Sequence, residues 1–297
     1  MRRLRIGFLL PRTSLHSRSC MWAVMRALEQ AGVHVDIVLP ADRAVDLSRV
    51  RVEHDLYVVR KMSGLSLSLA GALHHAGAAI VNPYPVTVAL HDKIIAFQIL
   101  NAACVPTPAT YIASHAEQLA PLLDDGPLVL KPHQGGGGYG VRLVRSPAEL
   151  TTIPYDRHTP LFAQRYHAPQ GHDRKVYVIG DRLFGVKKVF PRRTEEEKRG
   201  EPFDLTSELC EIARRCGQAF GIDLYGVDII ESGGKPYVVD MDGIPGYKGV
   251  PGAPQLLAGY LQRAAKRAAD GERTLQPSFS PHHGAPVPAF RALGAGG

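Results

Sequence analysis

The sequence predicts a two-part α/β and α+β chain, with a small doubly wound domain followed by a larger region of antiparallel strands and flanking helices. Three observations carry this. The first ~85 residues alternate short apolar strands with helical stretches, the rhythm of a parallel sheet. From residue 161 onward strands dominate and are joined by tight glycine turns. Two amphipathic stretches, "LTSELCEIARRCGQAFG" and "PQLLAGYLQRAAKRAAD", supply long helices around those strands.

In chain order, "RIGFLL" is the first strand; its apolar run of about five residues is shorter than the roughly 7 to 15 of a signal-peptide core. A helix ending "MRALEQAG", the strands "HVDIVLP" and "DLYVVR", the helix "SLSLAGALHHAG" and the strand "AIVNP" complete the first unit. Gly32 and Gly77 stand where helix C-caps are expected. A helix through "HDKIIAFQILNAA" follows and stops at "VPTP". Next come the strand "TYIA", a helix around "SHAEQLAPLL", a hairpin whose arms are "LVL" and "VRLV", and a short helix in which Ser146, Pro147 and Glu149 form a capping box. The strands "LFAQRYH", "KVYVIG" and "RLFGVKKVF" precede the penultimate helix. "LYGVDIIES" and "KPYVVDMD" then pair through Gly233 and Gly234. The segment 191–203 interrupts this pattern and reads as an acceptor-side loop. The proline-, glycine- and alanine-rich residues 271–297 have no periodicity and are expected to be disordered.

At 45% apolar and 21% charged, the composition is that of an ordinary globular protein, and no apolar run approaches the ~20 residues of a membrane span. Cys20, Cys104, Cys210 and Cys216 show no C-x-x-C spacing, which suits a reducing cytoplasm and buried thiols. A formal charge of +7 favours acidic partners. The basic residues are scattered and no recognition helix or aromatic RNA-binding strand is present, which argues against nucleic acid.

The chemistry concentrates in three places. "KPHQGGGGYG" puts Gly135, Gly136, Gly137 and Gly138 between two strands, where backbone N–H groups can approach phosphate oxygens; the same run also suits a plain hairpin tip. In "VVDMDGIPG", Asp240 and Asp242 point to one side of a strand, and antiparallel pairing brings Asp228 opposite Asp240. Three carboxylates on one face repel unless cations lie between them, and hard oxygen donors suit Mg²⁺; an exposed acidic sheet face is the alternative. Lys131 ends the strand before the glycines and Lys93 opens a helix, both placed for phosphate. The glycine loop opens a strand and not a helix, so it is no Walker loop.

Together these motifs resemble the ATP-grasp superfamily, over roughly residues 1–270. "HDK…CVPTP", "LVLKPHQGGGGYGV", "FAQRYH", "GHDRKVYVIGD" and "YGVDII…VVDMDGIPGYKG" are similar, in order, to the motifs of its RimK-type carboxylate–amine ligases. The resemblance implies a pre-ATP-grasp domain over residues 1–85 and a two-lobed ATP-grasp fold over 86–270, with lobes at about 105–160 and 161–270. It implies that Lys93, Lys131, Gly135 to Gly138 and Asp173 bind ATP. Gln164 and the backbone of Arg165, Tyr166 and His167 would face the adenine. Asp228, Asp240 and Asp242 would hold Mg²⁺, with Mn²⁺ as a substitute. The chain departs from the family pattern at Arg165, where glutamate is usual, at Asp240 and Asp242 in place of Glu and Asn, and at Lys175 in place of arginine.

"KVYVIGD…VKK" and "VVDMDGIPGY" are also similar to the inositol-phosphate kinases of the superfamily. As a ligase the enzyme would activate a carboxylate of an acidic small molecule or peptide as an acyl phosphate and join it to an amine, with Lys175, Lys187, Lys188 and Arg192 holding the acceptor. As a kinase the same lysines would clamp a phosphorylated polyol. The bland reading of Lys187 and Lys188 is one side chain in and one out. A homo-oligomer is compatible with either activity.

Overall fold

The protein is represented by a computed structural model that describes residues 2–11, 20–42, 44–60, 64–135, 140–154, 156, 158–189 and 193–272. The expectations placed on Gly136, Gly137, Gly138, Arg192 and the tail from 273 lie outside the described residues.

Strands β1 (Arg5–Leu9), β2 (His34–Val38), β3 (Leu56–Val59) and β4 (Ile80–Val81) form a parallel sheet in the order β2-β1-β3-β4, with helices α1 (Met21–Gln30) and α2 (Gly64–His75) in its crossovers. Gly32 and Gly77 take left-handed φ values of 82° and 88°. Beyond them Val33 N–H donates to Leu28 O at 3.0 Å and Ala78 N–H to Leu73 O at 2.9 Å, which closes both helices as the sequence predicts.

The single helix expected from His91 is instead the second of two, α3 (Tyr84–His91) and α4 (Lys93–Ala102). Asp92 separates them with extended backbone, and its carboxylate accepts the Ile94 N–H at 2.9 Å as the cap of α4. Lys93 therefore sits at the first turn of a capped helix.

The second sheet, antiparallel, contains β5 (Thr110–Ala113), β6 (Leu128–Pro132), β7 (Arg142–Val144) and β8 (Leu161–Arg165) in the order β5-β8-β6-β7. Residues Ala116–Asp125 form 3-10 turns where an α-helix was expected, and Pro121 within them lacks the N–H an α-helix needs. The short helix α5 (Pro147–Leu150) also departs from expectation. Ser146 makes no side-chain cap; its hydroxyl meets the Glu149 carboxylate at 3.4 Å, and that carboxylate accepts the Arg145 N–H.

The third sheet is antiparallel in the order β11-β10-β9-β12-β13, from β9 (Asp173–Ile179), β10 (Arg182–Lys188), β11 (Glu201–Phe203), β12 (Leu224–Ser232) and β13 (Lys235–Asp242). Within the segment expected as a loop, the described residues 193–203 carry regular elements. Thr194 and Glu197 form a capping box for α6 (Glu195–Arg199), and β11 extends the sheet edge. Helices α7 (Ser207–Phe220) and α8 (Ala253–Ala269) cover opposite faces. Val176, Val178, Val227, Ile229 and Val238 pack with α7 residues Leu209, Ile212 and Phe220. Tyr177, Ile179 and Leu224 face α8 and the first sheet through Leu257, Leu261, Phe8 and Met25. No helix among the described residues is long and apolar enough to cross a membrane.

Candidate active site

Strand alternation sorts the chemistry of the third sheet onto one face. Paired residues share a side, and the register matches Lys175 with Asp228, Asp228 with Asp240, Gly226 with Asp242, and Lys188 with Asp173. Lys175, Tyr177, Lys188, Asp173, Asp228, Asp240 and Asp242 therefore stand on the face that further along packs against α8. Lys187 pairs with Arg174 and lies on the other side, its ammonium 5.6 Å from the centre of the Phe203 ring. Of the two adjacent lysines, only Lys188 reaches the acidic face, so the expectation that Lys187 works beside it is not met by the geometry.

The acids do not stand as three bare carboxylates. Lys175 is buried and its ammonium donates to Asp228 Oδ2 at 2.7 Å and to Asp242 Oδ2 at 2.6 Å. Burial opposes its charge, yet Asp228 and Asp242 raise its pKa well above that of an ordinary lysine. Asp240 lies apart from that bridge. Burial and the negative charges of Asp242 and Asp228 push its pKa up to about 6, against the opposing pull of Lys93 and Lys131. Lys188 donates to the Tyr177 hydroxyl at 2.6 Å and to the Lys198 carbonyl at 3.1 Å.

The opposing wall comes from the second sheet and α4. Lys131, on β6, donates to Gln164 Oε1 at 2.7 Å and to the Val239 carbonyl of β13 at 3.0 Å, so one side chain ties the two sheets together. Its burial depresses its pKa. Gln164 in turn donates to Thr110 Oγ1 at 3.0 Å. Lys93 meets the carbonyl of Gly135, the first glycine of the run, while its own N–H donates to His133 O at 2.8 Å. Of the two predicted phosphate lysines, Lys93 reaches Gly135, while Lys131 points to Gln164 and Val239 within electrostatic reach of Lys93.

The stretch Arg165 to His167, expected to face the adenine, has two of its amides engaged elsewhere. The Arg165 N–H donates to Ala109 O at 2.8 Å and the Tyr166 N–H to Pro127 O at 2.9 Å, so neither amide faces a base. The Arg165 guanidinium turns away to Leu122 O at 2.9 Å and to Gly126 O. His167 stacks on Tyr237 with ring centres 4.0 Å apart. A small apolar recess lies nearby, lined by Phe97, Leu100, Phe162, Gln164 and Met241.

A cavity of about 510 Å³ opens beside the acids. Lys93, Gly135, Asp240 and Asp242 line one end, and Arg60, Asn82, Thr87 and His91 line the rest. These last four were not singled out in the sequence. Arg60 had a legible signal, since it directly follows an apolar strand of the parallel sheet. Asn82 anchors the cavity floor: its amide donates to Leu224 O at 2.8 Å and to Gly243 O at 3.1 Å, pinning the end of the first sheet to the third.

Whether the acids suit a divalent cation can be tested on the donors themselves. Among the described residues no three acidic, histidine or cysteine side chains enclose a metal position. Asp228 Oδ1, however, is buried without a hydrogen-bond partner, and burial first, then the charges of Asp242 and Asp228, raise the Asp240 pKa. An orphaned hard oxygen beside a buried carboxylate fits Mg²⁺ chemically.

Lys93 and Lys131 on one side, and Asp228, Asp240 and Asp242 on the third sheet, thus lie within electrostatic reach of one another. Residues 90–253 match the RimK-like ATP-grasp domain, more than half of the chain, and the protein belongs to that family. It is 24% identical over 267 residues to a Rhodopirellula baltica protein called "Probable alpha-L-glutamate ligase", a match covering 80% of this chain and 65% of that one. It is 27% identical over 243 residues to a glutamate–LysW ligase of Sulfurisphaera tokodaii, covering 76% of this chain and 86% of the relative. Among solved structures it is similar to a RimK-domain ATP-grasp protein of Sphaerobacter thermophilus, with TM-score 0.70, 20% identity, and coverage of 87% of this chain and 99% of that one.

Proposed function

We propose that this protein is an ATP-dependent carboxylate–amine ligase. The observation that carries the reading is that Lys93, Gly135, Asp240 and Asp242 line one end of the 510 Å³ cavity, with Lys131 and Asp228 close enough to Asp240 to act on its charge. The relatives it matches bear ligase names, which favours joining a carboxylate to an amine over phosphorylating a polyol.

Lys93 and Lys131 bind the phosphates of ATP, and the apolar recess beside Gln164 receives the base. Asp228, Asp240 and Asp242 would hold Mg²⁺, which would draw charge from the transferring phosphoryl group. A carboxylate oxygen of the acid attacks the γ-phosphorus and ADP leaves; the amine nitrogen then attacks the acyl carbon, phosphate leaves, and the amine gives up a proton. Lys175 and Lys188 supply fixed positive charge along this face, and no protein nucleophile is needed. The reading also divides the chain near residues 85 and 270 into an acceptor-side domain, a clasping pair of lobes and a tail, and places the enzyme in the cytoplasm.

Incubation with ATP, Mg²⁺, hydroxylamine and a panel of acids tests the class of reaction. The expected result is an acyl hydroxamate formed with stoichiometric ADP for at least one acid; a stable phosphate ester on a polyol, with no hydroxamate from any acid, would replace the ligase with the kinase.

A further inference from the structure

An amine reaches an acyl phosphate at neutral pH as an ammonium, and its nitrogen has no free electron pair until one proton is taken away. Among the described residues that line the cavity, three side chains are basic enough to take it: Asp240, Asp242 and His91. Asp242 already gives an oxygen to Lys175 at 2.6 Å, and the proposed reaction commits both aspartates to the cation. His91 is left.

The end of α3 places it there. His91 lies four residues after Thr87, so the two share a helix face, and both line the cavity. Thr87 Oγ1 donates to the Asn82 carbonyl at 3.1 Å, which fixes that face against the end of the first sheet. Asp92 then takes extended backbone, and Lys93, two residues on, lines the same cavity. Among the described residues no hydrogen bond engages the His91 ring, so its nitrogens are open to a ligand.

Its charged neighbours are Asp92 and Lys93 on its own stretch and His133 after β6, with Asp240 and Asp242 of β13 and Arg60 after β3 on the same cavity wall. Burial and then Lys93 lower its pKa; Asp92 opposes them, and His133 adds a smaller lowering. The imidazole therefore waits unprotonated. A phosphate held by Lys93 would offset that lysine's charge, and the carbonyl end of α3 favours a cation, so an imidazolium forms more readily once substrate is in place.

We propose that His91 is the general base for the attacking amine. One ring nitrogen takes a proton from the substrate ammonium. The freed amine nitrogen bonds the acyl carbon as the carbon–oxygen bond to phosphate breaks, the second proton leaves with the phosphate, and the imidazolium returns its proton to solvent. This rests on the ligase reading and names the group that receives the proton in it.

The test compares nucleophiles that differ in protonation. With the acid selected by hydroxamate trapping, wild type, His91→Gln and His91→Ala are assayed at neutral pH with hydroxylamine, which is largely unprotonated, and with ammonium and the common amino acids, whose amino groups are protonated. His91→Gln is expected to lose at least about tenfold more rate in amide formation than in hydroxamate formation. Added imidazole is expected to raise amide formation by His91→Ala, more so as pH rises and free imidazole loses its proton, and to leave wild type unchanged. A merely structural role would slow both nucleophiles alike and would not be rescued.

Cooperative thermal melts report that the variants are folded, and should one fail to fold the other decides alone. Equal losses with both kinds of nucleophile, no loss with either, or no rescue by imidazole overturns the proposal. So does a wild type that forms hydroxamate but no amide from any of these amines. Each of those results leaves the ligase reading standing, whereas absence of hydroxamate from every acid removes both.

Discussion

At Lys175 two carboxylates converge on one ammonium, and this changes how the acidic face behaves before any cation arrives. The side chain is 6% exposed and Asp228 is 19% exposed, whereas Asp242 at 46% is substantially solvated. Removing one partner of a buried ion pair costs about 3–5 kcal/mol, and solvent at Asp242 puts Lys175→Met at roughly the lower end. The variant is expected to melt at lower temperature and to recover more of that loss than wild type gains when Mg²⁺ is added, since a cation can then neutralise Asp228 and Asp242. Equal Mg²⁺-induced shifts in the two proteins, measured by thermal melts at fixed pH, would detach Lys175 from the metal-binding acids. In the sequence the three aspartates were legible from strand alternation alone. The ammonium between them was not, because Lys175 lies on a different strand and only the register of β9 against β12 brings it there.

At the scale of elements, the alternation of β10 separates two neighbouring lysines by a full sheet thickness. Lys188 turns toward Tyr177 on the acidic face and Lys187 toward Phe203 on the α7 side. Lys188→Met is expected to lower kcat/KM by about tenfold or more, while Lys187→Ala stays within about twofold of wild type. Steady-state kinetics on the acid identified by hydroxamate trapping checks both, and the reverse ranking would mean that the working face has been misassigned. Most strands were readable because their alternation and turns are local. Two of the elements that departed were decided by a single residue: Asp92, which caps one helix and so splits the expected span, and Pro121, which denies an α-helix its N–H.

For the whole molecule, the site is made by three sheets meeting. Lys131 bonds the Val239 carbonyl across the cleft, and Asn82 bonds Leu224 and Gly243 across the junction with the first sheet. The nucleotide half was legible because glycine, lysine and aspartate fall in ordered local motifs. The half proposed for the acceptor was not: Arg60, Asn82 and Thr87 lie outside those motifs and come to line one cavity only when the parallel sheet docks beside β13. The central claim is that Asp240 and its neighbours hold the cation that fixes the nucleotide beneath the hairpin. Calorimetric titration of ADP with and without Mg²⁺, on wild type, Lys131→Met and Asp240→Asn, tests it most directly. Mg²⁺ is expected to tighten ADP at least about tenfold, or about 1.4 kcal/mol, in wild type. Asp240→Asn should lose most of that gain, and Lys131→Met should weaken ADP in both conditions. An undiminished Mg²⁺ effect in Asp240→Asn would contradict the account.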